Sequence, residues 1–365
     1  MGAGHLLGLD RPLPDRGALH HSGSGSPGTV RPDQRGRHGR RPCSGGGQSR
    51  RPAGRRCQTG RVTASATVSS NGLSLAYESF GDPADPTVLL VMGLATQMLA
   101  WEDGFCAELV ARGHHVVRFD NRDVGLSTHL SDLPAGRPVS AFLGRQQPPY
   151  LTADMADDTA GLITGLGLGP VHVVGISMGG CIAQSLAIRH PDLVASLTSI
   201  ASSTGSRRVG HPKLATAYRL LTRPTVTSRE EAIALKLTVY RQQASPAYPL
   251  RLDAMREIAG ASWDRAYDPD GSARQFAAIL GSPDRTAELR RLDLPSLVVH
   301  GLSDPLINAS GGRATAAAIP GAKLVTYAGM GHEIPQPLWE PIADGIAEVA
   351  RAGQERRAEW PGGGA

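Results

Sequence analysis

The stretch VHVVGISMGG, Val171 to Gly180, changes character in its middle. A β-branched run stops at Gly175-Ile176-Ser177-Met178-Gly179, and a helical apolar pattern follows from Ile182 to Ile188. Strand, sharp turn and helix are the expected local structures, with Ser177 on the bend. In G-x-S-x-G spacing, glycines two positions either side of the serine let neighbouring chain pass without Cβ clashes. The bend then projects the hydroxyl out of the sheet. The alternative is an ordinary Gly/Ser turn before a helix; the flanking strand and helix favour the nucleophile.

Working outward, strands and helices alternate. Ala66 to Ser69, Asn71-Gly72 and Leu73 to Phe80 read as a hairpin with a tight turn. Pro86 to Met92 is a continuous apolar run, which suits a strand covered on both faces. The loop Gly93-Leu94-Ala95-Thr96 leads to a helix over Trp101 to Ala111, which Gly113 is placed to end. A strand over His115 to Phe119 runs into the loop from Asp120 to Gly125. A helix over Met155 to Leu166 follows, with Asp154, Asp157 and Asp158 expected to complement its dipole. Beyond the central helix, which ends at His190-Pro191, strands are predicted at Val194 to Ile200, Ser296 to His300 and Lys323 to Tyr327. Helices are predicted at Gly312 to Ala318 and Leu338 to Ala352. This alternation predicts an α/β fold, a mostly parallel sheet with helices on both faces.

The rhythm breaks over residues 203–292, which read as helices at Leu214 to Leu221, from a capping box Ser228-Arg229-Glu230-Glu231 to Tyr240, at Leu252 to Ile258 and at Ala273 to Leu280. A helical insertion between two strands is expected to form a lid over the strands' carboxyl ends, where open α/β sheets bind ligands. The core is then 66–202 with 293–352.

Residues 1–61 differ from the rest. They hold 12 Arg, no Lys and 3 acidic residues, a net of +9, whereas the remainder carries −4. The sequence pI near 9.2 therefore belongs to this tail. It is rich in Gly, Pro, Ser and Arg without apolar periodicity, so it is expected to be disordered. One reading is a basic arm using Arg35, Arg37, Arg40 and Arg41. The absence of interleaved aromatics and of any binding module speaks against nucleic acid as a partner. The preferred reading is a coding region begun too far upstream, with initiation near Val62. No apolar run reaches membrane-spanning length, and no signal peptide is evident, so a cytoplasmic location is expected. Of four cysteines, Cys43 and Cys57 lie in the tail. Cys106 and Cys181 sit in helical patterns as expected buried thiols, and no metal set or cofactor motif stands out.

A serine hydroxyl needs a base, and the base an orienting acid. Asp304 in Gly301-Leu302-Ser303-Asp304-Pro305 follows one predicted strand, and His332 in Gly329-Met330-Gly331-His332 follows the next. Both are thus placed at the sheet's carboxyl edge. The segment Ala201 to Arg208 has no carboxylate, which leaves Asp304 as the acid; His300 is the main rival base. The order Ser177, Asp304, His332 is that of an α/β-hydrolase triad. Two backbone N–H groups, of Met178 and Leu94, are expected to hold the oxyanion. Gln97, Trp101 and Tyr240 are candidate pocket residues. An apolar lid with Leu220, Leu221, Leu237 and Tyr240 predicts a hydrophobic substrate.

From about Ala66 to Arg351 the chain resembles α/β-hydrolase-fold enzymes. The motifs VMGLATQ, FDNRDVGLST, GISMGG, HGLSDP and GMGHE resemble those of the aclacinomycin methylesterase-like esterases. The resemblance implies a loop over Asp120 to Ser127 stabilised by its own polar contacts, and methyl esters of secondary metabolites as substrates. Met92-Gly93 departs from the His-Gly of many relatives. The expected activity is hydrolysis of a small-molecule carboxylic ester through an acyl-enzyme. GxSMGG also resembles enol-lactonases and carbon–carbon bond hydrolases, and the same triad serves cofactor-free haloperoxidases and perhydrolases. A non-catalytic ligand-binding protein on this fold is the alternative of another class.

Overall fold

The computed structural model describes residues 65–145, 147–221 and 224–359. The tail, with the readings made of its arginines and cysteines, lies outside the described residues. The hairpin is present as β1 (Ala66–Ser70) and β2 (Leu73–Phe80). Asn71 and Gly72 both take positive φ between them, the conformation that an Asn-Gly hairpin turn requires. Next come β3 (Thr87–Val91), α1 (Asp103–Ala111) and β4 (His115–Phe119). Helix α1 begins two residues later than predicted, because Met98–Ala100 form a separate 3₁₀ turn and Glu102 is extended.

A short α2 (Pro138–Phe142) precedes α3 (Thr152–Gly165), β5 (Val171–Ile176), α4 (Met178–Arg189) and β6 (Val194–Ile200). Of the three carboxylates placed at the start of α3, only Asp154 serves the helix end, accepting the Leu151 N–H at 2.7 Å. Asp157 instead pairs with Arg189 and His190, and buried Asp158 with Arg122. The expectation of a shared dipole role is corrected by long-range partners that local spacing does not reveal.

Between β6 and β7 the described chain makes α5 (Leu214–Leu221), α6 (Arg229–Gln243), α7 (Leu252–Arg265), α8 (Pro269–Gly281) and α9 (Thr286–Leu289). Ser228 caps α6 by accepting the Glu231 N–H, and the Glu231 carboxylate accepts the Thr227 N–H at 2.8 Å. Helix α7 runs seven residues beyond its predicted end. Strand β7 (Ser296–Gly301), α10 (Ser310–Ala318), β8 (Lys323–Tyr327) and α11 (Trp339–Glu359) finish the fold.

Among the described residues the strands form one sheet, ordered β1-β2-β4-β3-β5-β6-β7-β8. Pairing is antiparallel for β1–β2 and β2–β4 and parallel from β4 to β8. Side chains alternate across it. Leu89, Val91, Val117 and Val173 pack with Met155, Leu162, Ile182 and Leu186 of α3 and α4. Val88, Leu90, Val116 and Val174 pack with Phe105 and Leu109 of α1 and Ile342 and Ile346 of α11. Each such aliphatic side chain contributes roughly 1.5–3 kcal/mol when fully buried. Both faces of the central strands β3 to β7 are therefore dry, as parallel strands need, while the edge strand β8 stays largely exposed.

The order places β3 beside β5 with Val91 opposite Gly175. The chain reverses direction across the sheet there, so the loops after β3 and β5 emerge side by side at the carboxyl edge, where such sheets bind ligands. The β7 and β8 loops emerge at the same edge.

Candidate active site

Ser177 sits between β5 and α4 with φ 56° and ψ −119°, a backbone state that costs on the order of 1–3 kcal/mol. Neighbours hold it there: Ser177 N–H donates to Ile200 O at 2.9 Å, and Ser202 Oγ–H donates to Ser177 O at 2.8 Å. The glycines of the motif are required by close approach. A Cβ on Gly175 would overlap the Gly179 carbonyl, and one on Gly179 would overlap the Val91 carbonyl. Any side chain at either place would push α4 off the sheet.

The structure brings the three chemistry-bearing residues together. Ser177 Oγ lies 3.0 Å from His332 Nε2, and His332 Nδ1 lies 2.7 Å from Asp304 Oδ2. Asp304 is buried, and its Oδ1 accepts the N–H groups of Leu306 and Ile307 at 2.8 and 2.9 Å. Those two bonds fix the carboxylate so that only Oδ2 faces the imidazole. His300, the rival base, is buried with Nε2 bonded to Ile307 O at 2.8 Å, while its Nδ1 faces Gly312. Burial pushes its pKa down, and its ring serves the loop beneath Asp304.

Met178 is the first residue of α4, so its N–H has no intrahelical acceptor. Opposite it, the loop after β3 runs against the serine: a Cβ on Gly93 would stand 3.2 Å from Ser177 Cβ and 3.8 Å from its Oγ. This loop is pinned along its length. Met92 O accepts from Asn121 Nδ2 at 3.0 Å, and Ala95 N–H donates to Gln275 Oε1 at 2.8 Å. Met98 N–H donates to Asp120 Oδ1 at 2.7 Å. Asp120 Oδ2 also takes Leu126 N–H and Arg265, and Ser127 Oγ–H donates to Asp120 O, so the 120–127 loop does carry its own polar contacts. Gln275, from α8, also donates to Arg122 O at 2.7 Å. Sequence reading missed Gln275 and Arg265, which lie about 150 or more residues from the loops they hold and carry no local motif.

Above Ser177 and His332 lies a cavity of about 520 Å³. Its walls include Leu94, Trp101, Leu235, Val239, Tyr240 and Met255. Two of the three proposed pocket residues line it. Trp101 is buried and stacked on Phe105 at 5.5 Å, so it packs and lines at once. Tyr240 OH accepts the Arg251 N–H at 3.3 Å, and burial pushes its pKa up to about 12. Gln97 stands elsewhere: Nε2 donates to Ser262 O and Ala266 O at 2.8 and 3.0 Å, tying the loop to α7 beside a second cavity of about 460 Å³. Leu237 is likewise turned away, packing with Ile233 and Ala259 between α6 and α7. The Leu220 and Leu221 side chains lie outside the described residues.

Cys106 and Cys181 are free and buried, and burial raises the Cys106 thiol to about 12. Asp123, His129 and Asp268 approach one another closely enough to ligate a cation. Arg274 already bonds Asp123 at 2.8 and 2.9 Å, however, and His129 bonds Asp268 at 2.8 Å. The group is an internal ion-pair network. No helix among the described residues is long and apolar enough to cross a membrane.

The family model described as alpha/beta hydrolase fold matches residues 86–335, and the chain belongs to that family. It is 27% identical over 304 residues to rhodomycin D methylesterase DnrP of Streptomyces peucetius, covering 78% of this chain and 97% of that one. It is also 27% identical over 306 residues to rhodomycin D methylesterase DauP of Streptomyces sp. (strain C5), with the same coverage. The resemblance read from the five motifs is therefore met by methylesterase relatives over most of the chain. Among solved structures, the 2-hydroxy-6-oxo-6-phenylhexa-2,4-dienoate hydrolase of Rhodococcus sp. strain RHA1 superposes with TM-score 0.64 at 19% identity, covering 80% of this chain and 100% of its own. The enol-lactonase of Burkholderia xenovorans LB400 gives 0.58 at 22%, with the same coverage. These two likenesses bear on the fold alone.

Proposed function

We propose that the protein hydrolyses a carboxylic ester, a methyl ester of a hydrophobic small molecule, through an acyl-enzyme on Ser177. The observation that carries this reading is the hydrogen-bonded chain Ser177–His332–Asp304 on the floor of a largely apolar cavity. His332 Nε2 takes the hydroxyl proton as Ser177 Oγ attacks the carbonyl carbon. Asp304 keeps the proton on Nδ1 and stabilises the imidazolium. The N–H groups of Met178 and Leu94 receive the oxyanion, each contributing on the order of 3 kcal/mol to lowering the barrier. Collapse returns the proton to the departing alcohol, and water then repeats the sequence on the acyl-serine. The methyl-ester preference rests on the methylesterase relatives.

The test is direct. Ser177 should be labelled by a fluorophosphonate, and Ser177→Ala should lower turnover of a hydrophobic methyl ester at least 10³-fold while the protein stays folded. Retention of more than a few per cent of activity, or no labelling of folded protein, would reject the nucleophile. Turnover of enol-lactones or of carbon–carbon substrates in preference to esters would reject the substrate class.

A further inference from the structure

The loop that carries His332 is not held by the sheet alone. The last carbonyl of α6, on Gln243, accepts the His332 backbone N–H at 2.8 Å. Two residues on, Ser245 Oγ accepts the Gly331 N–H at 2.8 Å, and Ser245 N–H donates to Glu333 Oε1 at 3.0 Å. Ala247 N–H donates to Gly329 O at 3.3 Å. Four bonds therefore join residues 243–247 to residues 329–333, and one serine makes two of them. The approach is close enough to need the glycines of GMGH: a Cβ on Gly331 would overlap Gln243 O, and one on Gly329, at φ +71°, would overlap Ala247 Cβ.

We propose that Ser245 is a positioning residue for His332, clasping the end of α6 to the loop that carries the imidazole. This rests on the reading of His332 as the base. Ser245 is 1% exposed and its bond to the Gly331 N–H is buried, so that N–H left unpaired is costly. Glu333 reinforces the clasp. Burial raises its carboxyl pKa, opposed by the Ser245 N–H and the Tyr240 hydroxyl, so the side chain is held by the insertion from both sides. The consequence is mechanical. The end of α6 orders when the His332 loop orders, and a loosened clasp displaces Nε2 from the serine. Geometry of this kind tolerates little error, since small misplacements of a catalytic group cost large factors in rate.

The experiment uses the full chain and two variants, Ser245→Ala and Ser245→Cys, beside His332→Ala as control. Cysteine keeps an atom at the γ position, somewhat larger than the hydroxyl, but accepts hydrogen bonds weakly, so beside alanine it separates the bond from the loss of packing and stands in if the alanine variant does not fold. Sites are titrated with a fluorophosphonate, and kcat is expressed per titratable site on one ester. The expected result is a tenfold or greater fall in kcat per site for both variants, with KM within about twofold. Unchanged kcat per site, or a loss accounted for by fewer titratable sites, would overturn the positioning role. If His332→Ala itself retained activity, the base assignment would fail, and this inference with it. An inactive His332→Ala beside a fully active Ser245→Ala would sink only the clasp.

Discussion

Asp304 shows how much of the site is decided by single atoms. Its Oδ1 is committed to the Leu306 and Ile307 N–H groups, and its Oδ2 faces His332 Nδ1. Asp304→Asn must keep its carbonyl oxygen toward the two backbone donors, which turns its NH₂ toward the imidazole. Nδ1 would then have to accept, leaving the proton on Nε2, where it blocks removal of the Ser177 proton. We expect kcat to fall by about 10⁴-fold with little change in fold, measured as turnover per folded molecule beside an unchanged circular dichroism spectrum. A loss below tenfold would show that the acid lies elsewhere. The grouping of Ser177, His332 and Asp304 was legible in the sequence because each of them follows a strand within a short motif. Gln97 was not: it follows the β3 loop, but its direction is set by the carbonyls of Ser262 on α7 and of Ala266 just past its end, some 165 residues away.

At the scale of elements, Asp120 joins three that sequence reading kept separate. It follows β4, caps the turn at Met98, and pairs through Oδ2 with Arg265 of α7. It is fully buried. Asp120→Ala would strand a guanidinium and two backbone N–H groups, so a stability loss of about 3–5 kcal/mol is expected, read from the urea midpoint. The contrasting case is the exposed pair Arg229–Asp264, whose removal by Arg229→Met should leave that midpoint unchanged. Equal effects from the two would mean that burial does not set the hierarchy. Strand and helix order was readable because β-branched runs and 3.6-residue patterns are local properties. The packing of α6, α7 and α8 against the loops after β8, β4 and β3 was not, since Ser245, Arg265 and Gln275 act across 86 to 180 residues of chain.

At the scale of the molecule, buried histidines make stability depend on pH. Burial lowers the pKa of His114, His115, His172 and His300, and that of His172 falls to about 4. His172 sits between β6 and α11, with Nδ1 2.9 Å from Ser196 Oγ and Nε2 3.3 Å from Gln354 Nε2. The ring donates to the hydroxyl and accepts from the amide, which only the neutral form can do. Its other charged or titratable neighbours, His114 and Arg357, oppose a proton further. The unfolded chain therefore binds the proton more readily than the folded one. The stability this group confers is complete above the unfolded value of about 6.5 and is lost as pH falls toward 4. Between pH 7 and 5 the loss from His172 alone is about 2 kcal/mol. Burial raises the pKa of Asp120 and Asp158, so these carboxyls act in the opposite sense, the folded state gaining relative stability as pH falls toward the ordinary carboxylate value. Urea midpoints at pH 7 and pH 5 should thus differ less for His172→Gln, whose amide can still reach Ser196 and Gln354, than for the parent chain. An undiminished pH dependence in the variant would show that protonation of His172 does not govern acid unfolding.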